Sequence, residues 1–146
     1  MYFLRRLKHL GASQNTLTDL YILFVRSILE ISAPLWTGAL LRNKRLTYML
    51  TRIQNSAMRI IRPDLDPLSA RTVLNLPTLE NHRLKVSLKC AHTMSEDQRF
   101  AHLFPRNENS MKLRNGKQFI EPSWRKMRTG FSSIPFFIRL LNEHKK

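Results

Sequence analysis

The chain has 146 residues, 42% of them hydrophobic, which suits one domain burying roughly two thirds of the surface its unfolded form exposes. Twenty-five Lys and Arg against ten Asp and Glu give a net charge of +15, so a polyanionic partner is favoured, whether nucleic acid or an anionic membrane surface. The single cysteine, Cys90, excludes an intrachain disulfide and a Cys-based zinc site and is expected as a small buried apolar group.

The charge is loaded at the ends. Residues 1–62 carry ten basic against two acidic side chains, residues 63–110 six against six, and residues 111–146 nine against two. Arg5, Arg6 and Lys8 interrupt the apolar residues that would form a signal-peptide core. Arg26 and Glu30 break the longest apolar run before it reaches the roughly 18 residues of a membrane span. The expected setting is nuclear or cytoplasmic, not secreted, with no membrane partner.

In chain order, Tyr2 to Leu10 reads as a short helix ended by Gly11. Thr16 to Trp36 reads as a central helix covered on most of its circumference. Leu17, Leu20, Tyr21, Phe24, Ile28 and Ile31 lie on one side, and Asp19, Arg26 and Glu30 form a narrow charged strip opposite. Thr16 with Asp19 fits an N-cap, and Pro34 should kink or stop the helix at an Ala-Pro-Leu-Trp corner. Asn43 should cap a third helix running to Ile61, with Leu46, Leu50, Ile53, Ala57, Ile60 and Ile61 as its apolar stripe.

Arg62 to Pro67 reads as a turn, and Asp66 with Asp64 as a cap or a solvated pair before a short helix, Leu68 to Leu74. The two aspartates, flanked by prolines, make an unpersuasive metal pair. Thr78 should cap a helix from Leu79 to Met94 that buries Leu79, Val86, Cys90 and Met94, with Leu84, Leu88 and Ala91 alongside, and turns His82, Lys85, Lys89 and His92 outward as a basic strip. Beyond Ser95 the helical period weakens. Asn115-Gly116 suggests a hairpin of residues 112–114 against 117–119, Trp124 either stacks on nucleic acid or packs on the helical body, and Ser133 should cap a last short helix with Pro135 in its first turn. The expected fold is therefore mainly α: a small bundle of about five helices over residues 1–96, then an irregular basic C-terminal region over 97–146 that ends in a short helix.

Several of these stretches occur in a recognisable order. Tyr2-Phe3-Leu4-Arg5-Arg6-Leu7-Lys8 is followed by Leu20-Tyr21, then by Phe24-Val25-Arg26-Ser27-Ile28-Leu29-Glu30 and Ala33-Pro34-Leu35-Trp36. Arg52 to Ile61, Leu76-Pro77-Thr78-Leu79-Glu80-Asn81-His82-Arg83, His102-Leu103-Phe104-Pro105 and Ser133 to Asn142 come after it. Taken together, these resemble the thumb and following C-terminal region of the reverse transcriptases of non-LTR (LINE-type, jockey-like) retrotransposons. The resemblance implies a truncated reverse-transcriptase piece whose parent family are RNA-directed DNA polymerases. The catalytic carboxylates of that family lie in a palm upstream of the matching region, and no Tyr/Phe-x-Asp-Asp pattern occurs in this chain. No catalytic residue, metal ligand or cofactor is therefore assigned, and the chain is not expected to act as an enzyme alone. Apolar surface that would face a palm should lie exposed.

Arg45, Arg52 and Arg59 recur every seven residues, about 10 Å apart along one helix flank. Arginines so placed either snorkel at the edge of a packing face or track a phosphate backbone by planar, bidentate hydrogen bonds. The thumb resemblance, which implies a grip on the template-primer duplex, favours the second. Arg5, Arg6, Lys85 and Lys89 are secondary candidates, and Trp124 with Arg125 suits single-stranded nucleic acid. RNA, DNA or an RNA–DNA duplex is the expected partner, with a palm domain or another protein chain beside it. Two other readings stay open. A structural helical module would join a partner through its apolar faces. An accessory segment is suggested by the central helix, which also resembles a short N-terminal segment of AlkB-type tRNA-modifying oxygenase-methyltransferases.

Overall fold

The structure, a computed structural model, describes residues 1–107 and 117–144, without the side chains of 127 and 128. The expectation of a mainly helical fold holds, with eight α-helices and no strand among the described residues, more helices than the five expected. They are α1 (Tyr2–His9), α2 (Gln14–Glu30), α3 (Ala33–Arg42), α4 (Lys44–Ile61), α5 (Pro67–Val73), α6 (Leu79–Glu96), α7 (Met127–Gly130) and α8 (Ser133–Glu143). The chain gathers into two compact units that do not coincide with a division at residue 96. The first comprises Met1–Ile31 and Lys44–His82, and the second Ser32–Asn43 and the chain from Arg83 onward.

In the first unit, α1 ends as its sequence predicts. Gly11 adopts φ +81°, and the N–H groups of Gly11 and Ala12 return to the carbonyls of Lys8 and Leu7, closing the end of the helix. The N-cap of α2 is Ser13 rather than Thr16. Its hydroxyl accepts from the Thr16 N–H at 3.2 Å, because the helix starts at Gln14, two residues earlier than expected.

The larger departure lies inside α2. Residues Tyr21–Arg26 form a π turn, which places one more residue in the turn than an α-helix holds. The buried line along α2 therefore steps Leu17, Tyr21, Arg26, Glu30, by four, five and four residues. Arg26 and Glu30, expected on an outer charged strip, face inward. Leu23, Phe24, Ile28 and Ile31 are left more than half exposed. The expectation of a helix covered on most of its circumference is thus corrected from residue 22 onward.

Leu4, Leu17, Tyr21, Ala57, Met58, Ile61 and Ala70 make the core of this unit. A fully buried Leu such as Leu4 or Leu17 is worth about 2 kcal/mol. Only the C-terminal half of α4 contributes. Leu46 and Ile53 of the expected stripe are exposed, and Gln54 is buried, its amide donating to the Pro77 carbonyl at 3.4 Å. Asp66 caps α5 by accepting from the N–H groups of Leu68 and Ser69, and the hydroxyl and backbone N–H of Ser69 hold its carboxyl below the usual range. Asp64 is forked onto Arg62 at 2.7–3.1 Å, and those hydrogen bonds lower its pKa. Thr78 caps α6 as expected, accepting from Asn81 N–H at 3.0 Å.

α2 stops at Glu30, and Ser32, at φ 52°, precedes α3, so Pro34 opens a helix instead of a corner. In the second unit α3 packs on α8 at Gly38, where a Cβ would stand 2.7 Å from the Phe131 carbonyl and 2.8 Å from Phe136 Cβ. Phe136, Phe137, Ile138, Leu140 and Leu141 make α8 a central helix, packed with Ala91, Phe104 and Phe119. Its N-cap is Ser132, one residue before the expected Ser133.

On α6 the fully buried row is Leu79, Arg83, Ser87 and Ala91; Leu79 and Ala91 are buried as expected, Leu84, Leu88, Cys90 and Met94 are partly buried against the second unit's core, and Arg83 and Ser87 were not expected inside. Arg83 is sheltered over the Trp36 ring at 5.5 Å. The irregular region is tied down at Phe119, which bridges Arg106 and whose peptide N–H and C=O both pair with the Asn142 amide, at 3.0 and 3.1 Å. The first strand and turn of the expected hairpin lie outside the described residues.

Candidate nucleic-acid interface

α1 and α4 together carry Arg5, Arg6, Lys8, Lys44, Arg45, Arg52 and Arg59, and neither helix contains a carboxylate. Arg45, Arg52 and Arg59 are all exposed, on a single 18-residue helix whose opposite side enters the core at Gln54, Ala57, Met58 and Ile61. Core packing fixes which way α4 faces, so the heptad spacing becomes a row about 20 Å long. Among the described residues none of the three guanidiniums makes an ion pair. The row starts in the first turn of α4, where Lys44 and Arg45 meet the positive end of the helix dipole and no acidic residue offsets them.

α1 extends the basic surface beside this row. Met1 lines a recess with Met49, Arg52, Ile53 and Ser56, and Lys8 Nζ donates to the Ile60 carbonyl, so the two helices run side by side in the same direction. That lysine satisfies one of the orphaned carbonyls at the C-terminus of α4, where a cation also suits the dipole. Arg5, Lys8 and His9 line a second recess with Ile60. Lys8 and His9 thus join the surface without having been singled out in the sequence, although Lys8 lies in the same basic block as Arg5 and Arg6.

The remaining candidates belong to the second unit. Lys85 and Lys89 are exposed one turn apart on α6. His82, expected to line up with them, turns instead toward the first unit's interior, with Nδ1 2.9 Å from Glu30 Oε2. Trp124 is half-buried; Arg139 lies over its ring at 5.5 Å, and a Cβ on Gly130 would fall 2.4 Å from it, which is the packed arrangement of the two considered. Arg125 is exposed. The structure thus brings Arg5, Arg6, Arg45, Arg52 and Arg59 into one unit and places Lys85, Lys89, Trp124 and Arg125 in the other.

Chemically the α1–α4 surface supplies fixed positive charge and planar donors. Among the described residues no group of three His, Cys, Asp or Glu is placed to hold a metal, and no single helix is long and apolar enough to cross a membrane. No protein-family model, curated protein or solved structure matches the chain.

Proposed function

We propose that this chain binds nucleic-acid backbone through the α1–α4 surface and corresponds to the thumb and C-terminal region of a non-LTR retrotransposon reverse transcriptase, without catalytic activity of its own. The observation that carries the reading is the row Arg45, Arg52 and Arg59, exposed, without an ion pair among the described residues, and directed outward by a helix whose other side is core. Guanidiniums spaced at about 10 Å match about every third phosphate of a strand, since phosphates follow one another at about 3.4 Å of axial rise in a B-form duplex. A phosphate at the first turn of α4 would also relieve the repulsion between Lys44, Arg45 and the helix dipole.

Such contacts position a duplex without reading its bases. Fluorescence anisotropy with two RNA–DNA duplexes of unrelated sequence tests the reading. Affinities within about threefold of each other, and reduced alike by Arg45→Gln, Arg52→Gln and Arg59→Gln together, are expected. Unchanged binding by the triple variant removes the assignment.

A further inference from the structure

Two of the chain's three tyrosines stand on the α1–α4 surface, while the third, Tyr21, is in the core. Tyr2 is 79% exposed and Tyr48 64%. Tyr48 follows Arg45 by three residues and precedes Arg52 by four, one helical turn either way, so it occupies the arginine row of α4 between the first two guanidiniums. Tyr2 precedes Arg5 by three residues and His9 by seven, which places it on the flank of α1 from which Arg5 and His9 border Ile60 of α4. The two tyrosines also share one end of the surface. Tyr2 opens α1, Tyr48 lies near the start of α4, and the parallel helices bring Met1 beside Met49 and Arg52. Toward the other end, no aromatic residue follows Phe3 on α1 or Tyr48 on α4, and Lys8 and Arg59 stand as cations without rings.

A single exposed ring needs no explanation, because folded surfaces carry many. Two rings interleaved with cations at one end of a surface free of carboxylates match what binds unpaired nucleotides, where rings take the faces of bases and cations take phosphates. A base inside a duplex is already stacked on both faces and offers a ring nothing. We propose that this end of the surface holds unpaired nucleotides stacked on Tyr2 and Tyr48, while Arg52 and Arg59 hold the backbone of an adjoining duplex. The ligand is then a duplex with a single-stranded extension. The inference rests on the nucleic-acid reading of this surface and names the form of nucleic acid that it takes. Every base has a π face, so the selection is for unpaired structure and not for sequence.

The test uses the full chain and one RNA–DNA duplex extended by about six unpaired nucleotides, in either polarity, with bases or abasic. The two extensions carry the same phosphates, so their difference isolates the bases. Fluorescence anisotropy should show the base-bearing extension binding about tenfold more tightly than the abasic one. Tyr2→Leu with Tyr48→Leu should abolish that difference and leave the affinity and salt slope of the abasic extension unchanged. Tyr2→Phe with Tyr48→Phe should keep it, because stacking needs the ring and not the hydroxyl. Both side chains are exposed, so circular dichroism should show the variants folded. The proposal is overturned by equal affinity for the two extensions, by a difference that survives the leucine substitutions, or by one lost with phenylalanine, which would make the hydroxyls phosphate donors. Each of these leaves the arginine surface standing. No binding of the duplex, or binding indifferent to Arg45→Gln, Arg52→Gln and Arg59→Gln together, removes that reading and this one with it.

Discussion

Glu30 Oε2 lies 2.9 Å from His82 Nδ1, and the same oxygen lies 3.2 Å from Arg26 Nε. The carboxylate is thus the anion that keeps a buried guanidinium in the first unit, with side-chain exposures of 7% for Arg26 and 12% for Glu30. Removing one member of such a pair leaves an uncompensated buried charge, whereas replacing both by apolar groups removes the desolvation penalty as well. Glu30→Gln should lower stability by about 3 kcal/mol, and Arg26→Met with Glu30→Leu should restore most of it. Urea denaturation followed by circular dichroism measures both.

Tyr21 neighbours that pair and is fully buried; burial pushes its hydroxyl up to about 12, with Arg26 and Gln54 pulling the other way. The fold therefore holds a neutral phenol where the unfolded chain ionises near pH 10. Stability from this group is complete below about pH 10 and is lost as pH rises toward about 12, by up to about 3 kcal/mol. Urea midpoints at about pH 9 and about pH 11 should fall further apart for the wild type than for Tyr21→Phe. Absorbance at 295 nm should show a late-ionising tyrosine that the variant lacks.

The arginine row was legible in the sequence because α4 keeps a regular helical period, so seven-residue spacing maps directly onto one flank. Gly11, Asp66 and Thr78 were legible for a similar reason, since each acts on its immediate neighbours. The orientation of α2 was not. A constant 3.6-residue period puts Arg26 and Glu30 outside, and one five-residue step after Tyr21 puts them inside; nothing local to Ile22 or Leu23 announces that step. Gln54, Arg83 and Ser87 escaped for a different reason. Polar residues are assigned to solvent by type, and only tertiary neighbours, Pro77 for Gln54 and Trp36 for Arg83, make their burial tolerable.

At Gly38 the approach of α3 to α8 leaves no room for a methyl group, since one neighbour is backbone. Gly38→Ala should therefore destabilise the second unit by about 2 kcal/mol, despite alanine's better helix propensity. Thermal melts followed in the far ultraviolet give the shift.

Asn142 serves Phe119 as a neighbouring strand would, donating to its carbonyl and accepting from its N–H. Asn142→Ala strands both backbone groups beside the buried Phe119 ring, a loss of about 2 kcal/mol. Hydrogen exchange should locate it, with the Phe119 amide exchanging markedly faster and the α4 amides unchanged.

The surface formed by α1 and α4 is tested most directly by the salt dependence of RNA–DNA duplex binding, wild type against Arg45→Gln, Arg52→Gln, Arg59→Gln, with circular dichroism establishing that both are helical. Each neutralised phosphate contributes about 0.9 to the slope of log affinity against log salt on B-form DNA. The wild type should lose affinity steeply between about 50 and 200 mM salt, and the triple variant should bind more weakly with a slope shallower by about 2 to 3. A folded wild type that does not bind the duplex, or a triple variant with the wild-type slope, would contradict the assignment of this surface to nucleic acid.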